Sequence, residues 1–494
     1  MAWWAGLRAR PAWILLLLFL LSLPAVTPRL YAADEIEYFA YLRSWWFDRD
    51  VSFDNEYRYF YDRGIARAYG FHETFLEMQT VTGLRLNFGT IGCAVLWSPF
   101  YAVADAGVAI ANRAGAGVPA DGFSRPYIMA VTYGSAVYGF LAVLLSAWAA
   151  RRIVGRGALA ATLAWGATPL LFYMYLAPGM AHACSAFAVA LFVCVWLRVR
   201  ERWSLGTASQ PASAPSRLAR ARVVPPVVSG LMLLAAAGAL MAMVREQDVL
   251  LGIGPAIDLG AVAWKAVAAR DRATLRRLSG GILAAAVTFV VVYLPQAMTY
   301  EVLYGHLGPA PQISDKMHWS SPHAIEVLLS PEHGFFVWTP LAVLALAGLV
   351  GLAWRPSKAG SRAAADSRWI AVLALVMVAG QVYVNGSIAT WSQAGAFGQR
   401  RFVGLTILLT IGLAHLTASA RGRVARGALL TAAVVCLWWN LGLMIQFGAG
   451  WMDRQRLEPA KNAYATFVTV PARLPELAYR YLFDRSSFYR QPRR

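Results

Sequence analysis

Apolar runs of roughly 17–25 residues recur along most of this chain, each long enough to cross a bilayer as a helix. Short arginine-rich stretches separate them. Of its 494 residues, 58% are hydrophobic and only 14% charged, where a soluble domain carries about a quarter charged residues. The runs are continuous and do not alternate, which excludes a transmembrane β-barrel. The chain therefore reads as an all-α polytopic membrane protein.

The net charge of +19 does not point to nucleic acid. Its excess sits in Arg151-Arg152-Arg156, Arg198 to Arg222, Lys265 to Arg277, Arg355 to Arg368 and Arg421 to Arg426, the placement of cytoplasmic loops under the positive-inside rule. If residues 88–112 crossed the membrane, the alternation of spans would put most of these clusters outside. If they do not cross, every cluster falls inside with Arg8 and Arg10. We therefore expect 88–112 to be a helical hairpin or an interfacial helix, which Asp105, Pro99, Trp97 and Tyr101 suit better than the bilayer centre. Spans are then expected at 127–150, 157–176, 181–199, 225–243, 249–264, 278–298, 334–354, 369–388, 402–418 and 427–447. With the first helix they make about eleven, N-terminus inside and C-terminus outside. The segments are a first transmembrane helix (1–28), an external loop (29–126), a helical bundle (127–447) and an external tail (448–494).

Arg8, Arg10 and the small residues near Ala32-Ala33 resemble a cleavable signal. Cleavage there would leave the acidic residues that follow at a free terminus, so an uncleaved first helix is favoured. Cys93, Cys184, Cys194 and Cys436 all fall in apolar stretches without a CxxC pair and read as core residues. Gly206 to Ser216 reads as a flexible cytoplasmic linker. No internal repeat is visible, which weakens a transporter reading.

The first apolar run hands over to the stretch YAADEIEYFAYLRSWW, Tyr31 to Trp46. Adjacent carboxylates at a membrane exit are expensive and mark a functional site. Asp34 followed by Glu37 also resembles a helix-capping pair. A cap and a chemical role are compatible, because Asp34, Glu37, Tyr38 and Tyr41 share one helical face.

The other expected external segments are Pro178 to His182, the turn Arg245-Glu246-Gln247-Asp248, the loop Thr299 to His333, and WSQAGAFGQRRF at Trp391 to Phe402. Arg400-Arg401 stand outside, where the charge rule disfavours them. Gly395 and Gly398 permit a tight turn, and guanidinium groups suit a phosphate. Lipid-headgroup snorkelling is the competing explanation. His306, His318, His323 and His333 are 12, 5 and 10 residues apart, unlike a compact metal motif. His182 and His333 are expected to line the site.

These residues resemble the GT-C superfamily of membrane glycosyltransferases, nearest to bacterial proteins similar to dolichyl-phosphate-mannose protein mannosyltransferases and lipid A aminoarabinose transferases (glycosyltransferase family 39-like). The resemblance rests on ADEIEYF after the first helix, the long first external loop, and the strings GTIGCAVLWSPFY, APGMAHACSAF, LLSPEHGFFVWTPL and AFGQRRFV. It covers the chain to about residue 450. It implies a hexosyltransferase of the cell envelope, working on the outer face of a bacterial plasma membrane from a polyprenyl-phosphate-linked sugar. Asp34 matches the catalytic aspartate, with Glu35 replacing or accompanying the second acid of the usual pair. The chain lacks the Lys-Pro-Pro stretch of the aminoarabinose transferases, so the acceptor hydroxyl (lipid, glycan or protein) does not carry over. No cofactor is implied, and a divalent metal is left open.

The chemistry of the residues agrees. A lipid phosphate leaves as an anion, so a single carboxylate base is enough for inverting transfer. Arg400, Arg401 and Arg245 are expected to hold the departing phosphate. A transporter or flippase of lipid-linked sugars is the alternative from another class, with Asp258 and Gln381 as its few intramembrane polar groups. A GT-C ligase or polymerase using a diphosphate-linked glycan is the nearer alternative.

Overall fold

The computed structural model describes residues 10–66, 70–205, 227–354, 362–393 and 395–484. Arg8, the linker at 206–216 and parts of two arginine-rich stretches lie outside them. Among the described residues every regular element is helical, with two isolated β-bridges and no strand. Among the described residues nine helices, Gly92–Arg113 included, are long and apolar enough to cross a membrane, and Ala12–Ala25 and Leu341–Ala353 are shorter apolar helices. The chain is an all-α polytopic membrane protein.

The first helix, α1 (Arg10–Ser22), ends at a turn containing Pro24, and α2 (Ala33–Arg43) follows. Gly92–Arg113 forms α3, a single continuous helix and not a hairpin. It lies against α4 (Arg125–Val154), where Trp97 Nε1 donates to Ser135 Oγ at 2.8 Å and Tyr138 donates to the Leu96 carbonyl at 2.7 Å. The expected span 157–176 is broken into α5 (Ala158–Gly166) and α6 (Leu170–Tyr175). Pro169 between them has no N–H with which to continue a helix. Next come α7 (His182–Leu205), α8 (Val227–Val244), α9 (Ile253–Ala268) and α10 (Arg272–Tyr304). At 33 residues, α10 is about 50 Å long and outreaches the expected 278–298. The bundle closes with α11 (Leu341–Ala353), α12 (Arg362–Gly386), α13 (Thr406–Ser419) and α14 (Gly422–Ala449). The tail carries α15 (Val470–Phe483).

Two polar clusters mark opposite ends of the bundle. At one end Asp258 accepts from Arg200 Nε at 2.8 Å, Trp196 Nε1 at 3.1 Å and Trp369 Nε1 at 2.8 Å. Arg200 also pairs with Asp366, and Arg152 with Glu201. Asp258, singled out above as an intramembrane polar group, is thus tied into this network. At the other end stand Asp34, His182, Arg245 and Arg400. The segments before and after α3 both touch α2: Tyr41 donates to the Gly89 carbonyl at 3.2 Å and Arg43 to that of Asp121 at 3.3 Å.

Candidate active site

The entry to α2 is capped from within. Glu35, fully buried, accepts from the backbone N–H groups of Tyr31 at 2.9 Å, Ala32 at 3.1 Å and Gly179 at 3.2 Å. This corrects the expectation that Asp34 caps the helix. The helix begins two residues earlier than an Asp34 cap requires, at Ala33 with Ala32 at the cap position, so the carboxylate that folds back over its entry N–H groups is Glu35. A Cβ at Gly179 would meet Leu30 Cδ2 at 2.4 Å and Glu35 Cβ at 3.0 Å, so a larger residue there would require Leu30 to shift. Burial pushes the Glu35 carboxyl up to about 7, against the pull of its three N–H donors. Its side chain is spent on the backbone of two segments.

Asp34 is left free of the cap. Its side chain is 43% exposed, and Arg400, 20% exposed, donates Nη1 to Asp34 Oδ2 at 2.6 Å. Arg400 therefore points into the protein, which removes lipid-headgroup snorkelling as its explanation. Burial pushes the Asp34 carboxyl up, but Arg400, by charge and hydrogen bond, with Arg245 and Arg401 behind it, holds it below its ordinary value. One turn along, Glu37 accepts from the Phe88 N–H at 2.7 Å. Burial first, then the neighbouring Asp34 charge, raises the Glu37 carboxyl to about 8. Adjacent acids on one face are thus driven apart, one ionised and one holding its proton at neutral pH.

Three guanidinium groups face that single ionised carboxylate. Arg245 shares a 2.9 Å contact between Nη1 and His182 Nδ1 and donates Nη2 to Gln247 at 3.2 Å, and its buried Nε has no partner. Arg401 donates to the Thr390 carbonyl at 3.3 Å and hydroxyl at 3.0 Å. Such an excess of positive charge beside a half-open carboxylate is a place for an anion.

The remaining expected residues pack around or behind this charged cluster. Tyr38 packs against Gly89, whose added Cβ would lie 3.2 Å from its ring. His182 is buried against the Tyr173 ring at 4.3 Å. His333 is also fully buried, stacked on Trp338 at 4.9 Å with Nε2 2.8 Å from the Ala396 carbonyl. It braces the loop before Arg400 from behind. That loop turns through Gly395 at φ +73° and Gly398 at φ +61°. His306 lies by Tyr304 and His323 stacks on Trp391, and among the described residues no three metal-ligating side chains gather.

Several site residues escaped sequence reasoning. Gln393 accepts from Arg400 Nε at 3.0 Å while held at φ +56°, in the left-handed region. Tyr173 accepts from the Phe397 N–H at 3.2 Å and donates to its carbonyl at 3.0 Å. Thr390 anchors Arg401. Gln393 and Thr390 flank the glycine-rich turn and were within reach of a local argument; Tyr173 sits inside an apolar run and carries no signal.

No family model matches the chain, and no curated protein matches it. Among solved structures it is similar to ArnT from Cupriavidus metallidurans bound to undecaprenyl phosphate, at 15% identity and a TM-score of 0.48. It is similar also to the apo state of that protein, at 15% identity and 0.43. In both cases 94% of this chain and 74% of the other are covered.

Proposed function

We propose that the chain is a membrane glycosyltransferase that moves a sugar from a polyprenyl-phosphate donor to an acceptor hydroxyl at the outer face of the membrane, with inversion. The observation that carries this reading is the pairing of a half-exposed, ionised Asp34 with a surplus of arginine. The sequence resemblance to GT-C glycosyltransferases at the same aspartate supports it.

The acceptor oxygen attacks C1 of the sugar as the C1–O bond to phosphate breaks, and the electron pair leaves with the phosphate. Asp34 takes the acceptor proton. Bound to Arg400 it is a weak base, and a donor phosphate drawing Arg400 to itself would release the carboxylate at the moment it is needed. Arg245 and Arg401 would hold the phosphate as its charge grows. Glu35 is a positioning residue, since its carboxylate fixes the helix entry and the Gly179 loop. Glu37, Tyr38 and His182 line the cleft.

A flippase would need unengaged polar groups within the bundle. Asp258 is held by three donors, and Gln381 Nε2 is committed to the Gln247 carbonyl at 3.0 Å. The contacts of Gly89 and Asp121 with one helix support an α3 whose two ends lie on the external side. A reporter at residue 118 should then face outward, and a cytoplasmic signal there would overturn the topology.

The function is tested by lipid and glycan profiling of a deletion strain complemented with wild type or Asp34→Asn. Loss of one glycan decoration, restored by wild type alone, is expected. Full restoration by the Asn variant would remove Asp34 as the base.

A further inference from the structure

An apolar groove of about 650 Å³ runs between α3 and α4. Phe100, Ala104, Gly107 and Ala111, spaced four, three and four residues apart, share one face of α3 and form one wall. Met129 and Tyr133, one turn apart on α4, stand on the other. The helices run antiparallel, since Tyr127 donates to Asp105 Oδ1 at 2.7 Å while Tyr138 reaches back to Leu96. The floor is open: a Cβ added to Gly107 would meet nothing within 4 Å. Asp105 lies on the far side of α3 from this face, and its oxygens accept from the Tyr127 hydroxyl and, at 3.2 Å, from Trp46 Nε1. No charge enters the groove.

Its surroundings and its rim say what fills it. Val103 in the wall and Ile110 beside it are 74% and 66% exposed. The groove therefore opens onto the apolar surface of two helices that are each long and apolar enough to cross a membrane. From Phe100 to Ala111 it follows a stretch of helix about 16 Å long. The hydrocarbon of one leaflet is about 15 Å deep, half the core of a bilayer, so the length suits a single acyl chain. At the Ala111 and Pro126 end the helices are joined by a loop that Asn112 pins, exchanging two 2.7 Å hydrogen bonds with Val118. Arg113 closes α3 and Arg125 opens α4 at this same end. Both are exposed, and among the described residues neither guanidinium has a partner. Asp121, the acid of the loop, accepts through Oδ1 from the Phe123 and Ser124 N–H groups at 2.8 and 2.9 Å. An apolar channel with two arginines at its mouth complements a lipid with a negatively charged headgroup.

We propose that the groove between α3 and α4 binds one anionic phospholipid of the surrounding bilayer. One acyl chain lies along Gly107, and the phosphate sits between Arg113 and Arg125. The site uses none of the residues around Asp34, and it is independent of the transfer reaction.

The test is native mass spectrometry of the full chain, delipidated in detergent and titrated with phosphatidylglycerol or with phosphatidylcholine of the same acyl chains. One phosphatidylglycerol should be retained per chain, about tenfold more tightly than phosphatidylcholine. Arg113→Gln with Arg125→Gln changes two exposed side chains and should bring the two lipids to equal retention. Gly107→Leu should fill the floor and abolish retention of both, with the melting temperature of the lipid-free protein unchanged. A preference for phosphatidylglycerol that survives the double arginine variant would overturn the proposal, because the headgroup would then be held elsewhere. Undiminished retention in Gly107→Leu would overturn it as well. So would displacement of the retained lipid by an equimolar polyprenyl phosphate, which would make the groove a seat for an isoprenoid chain instead.

Discussion

Each end of the bundle holds an Arg–Asp pair, and the two are built differently. Asp258 is only 4% exposed and accepts from one arginine and two indoles, while its arginine is shared with a second carboxylate. Arg200 Nε and Nη1 are both engaged there. The Asp34 side chain is 43% exposed against 5% for that of Asp258, has a single side-chain donor, and stands before three guanidinium groups. A buried pair with every partner engaged holds helices in register; an unbalanced pair open to solvent is waiting for something. On the proposed function, the difference fits a scaffold role at one end and chemistry at the other.

Exchanging each aspartate gives the sharpest break. Asp34→Asn should cut transfer by about 10²–10⁴ with donor binding largely kept, and with thermal unfolding unchanged. Asp258→Ala should do the opposite. It should destabilise the fold by about 3–5 kcal/mol, seen in detergent unfolding, while transfer per folded molecule is preserved. If both variants lost only stability, the contrast between the two ends would collapse.

The surplus cations come next. Arg401→Ala should weaken donor use by about 10²–10³, measured as kcat/KM against the polyprenyl-phosphate sugar. A purely structural arginine would instead lower the yield of folded protein and leave kcat/KM alone. Glu35→Ala removes one acceptor from three backbone N–H groups and should cost about 2–4 kcal/mol of stability. Glu35→Gln, which keeps an acceptor oxygen, should cost less and retain transfer, as a positioning residue requires.

The bundle itself was legible in the apolar runs, and the Asp34 and Arg400 stretches that the structure brings together stood out as separate segments. Missing from the sequence was the partner of each group. Arg400 closes on Asp34 across 366 positions, and nothing local in either stretch encodes that meeting. The choice of Glu35 over Asp34 as cap depended on where the helix starts, a two-residue matter beyond pattern reading. The break in 157–176 was signalled by Pro169 but hidden within an otherwise apolar run. Gln393 gave no sign that its backbone would be left-handed.

The smallest effects lie in pH dependence and test the electrostatics of the open end alone. Asp34 must be ionised to act, and the arginines hold its carboxyl below the ordinary range, so the acid limb of kcat/KM should fall below the usual carboxylate titration near about 3.9. Arg245→Gln removes one lowering charge and should move that limb upward. Glu37 behaves with the opposite sign. Its carboxyl, raised to about 8, is neutral at pH 7, and ionisation above that adds a second negative charge where, on the proposed function, the donor phosphate would bind. An alkaline decline centred near about 8 follows, and Glu37→Gln should abolish it. The same raised value means the folded protein keeps this proton longer than the unfolded chain does. The stability it contributes is therefore lost as pH rises from the ordinary glutamate range through about 8. Melting curves across that window separate loss of fold from loss of donor binding. An alkaline limb that persists in Glu37→Gln would place the titrating group elsewhere.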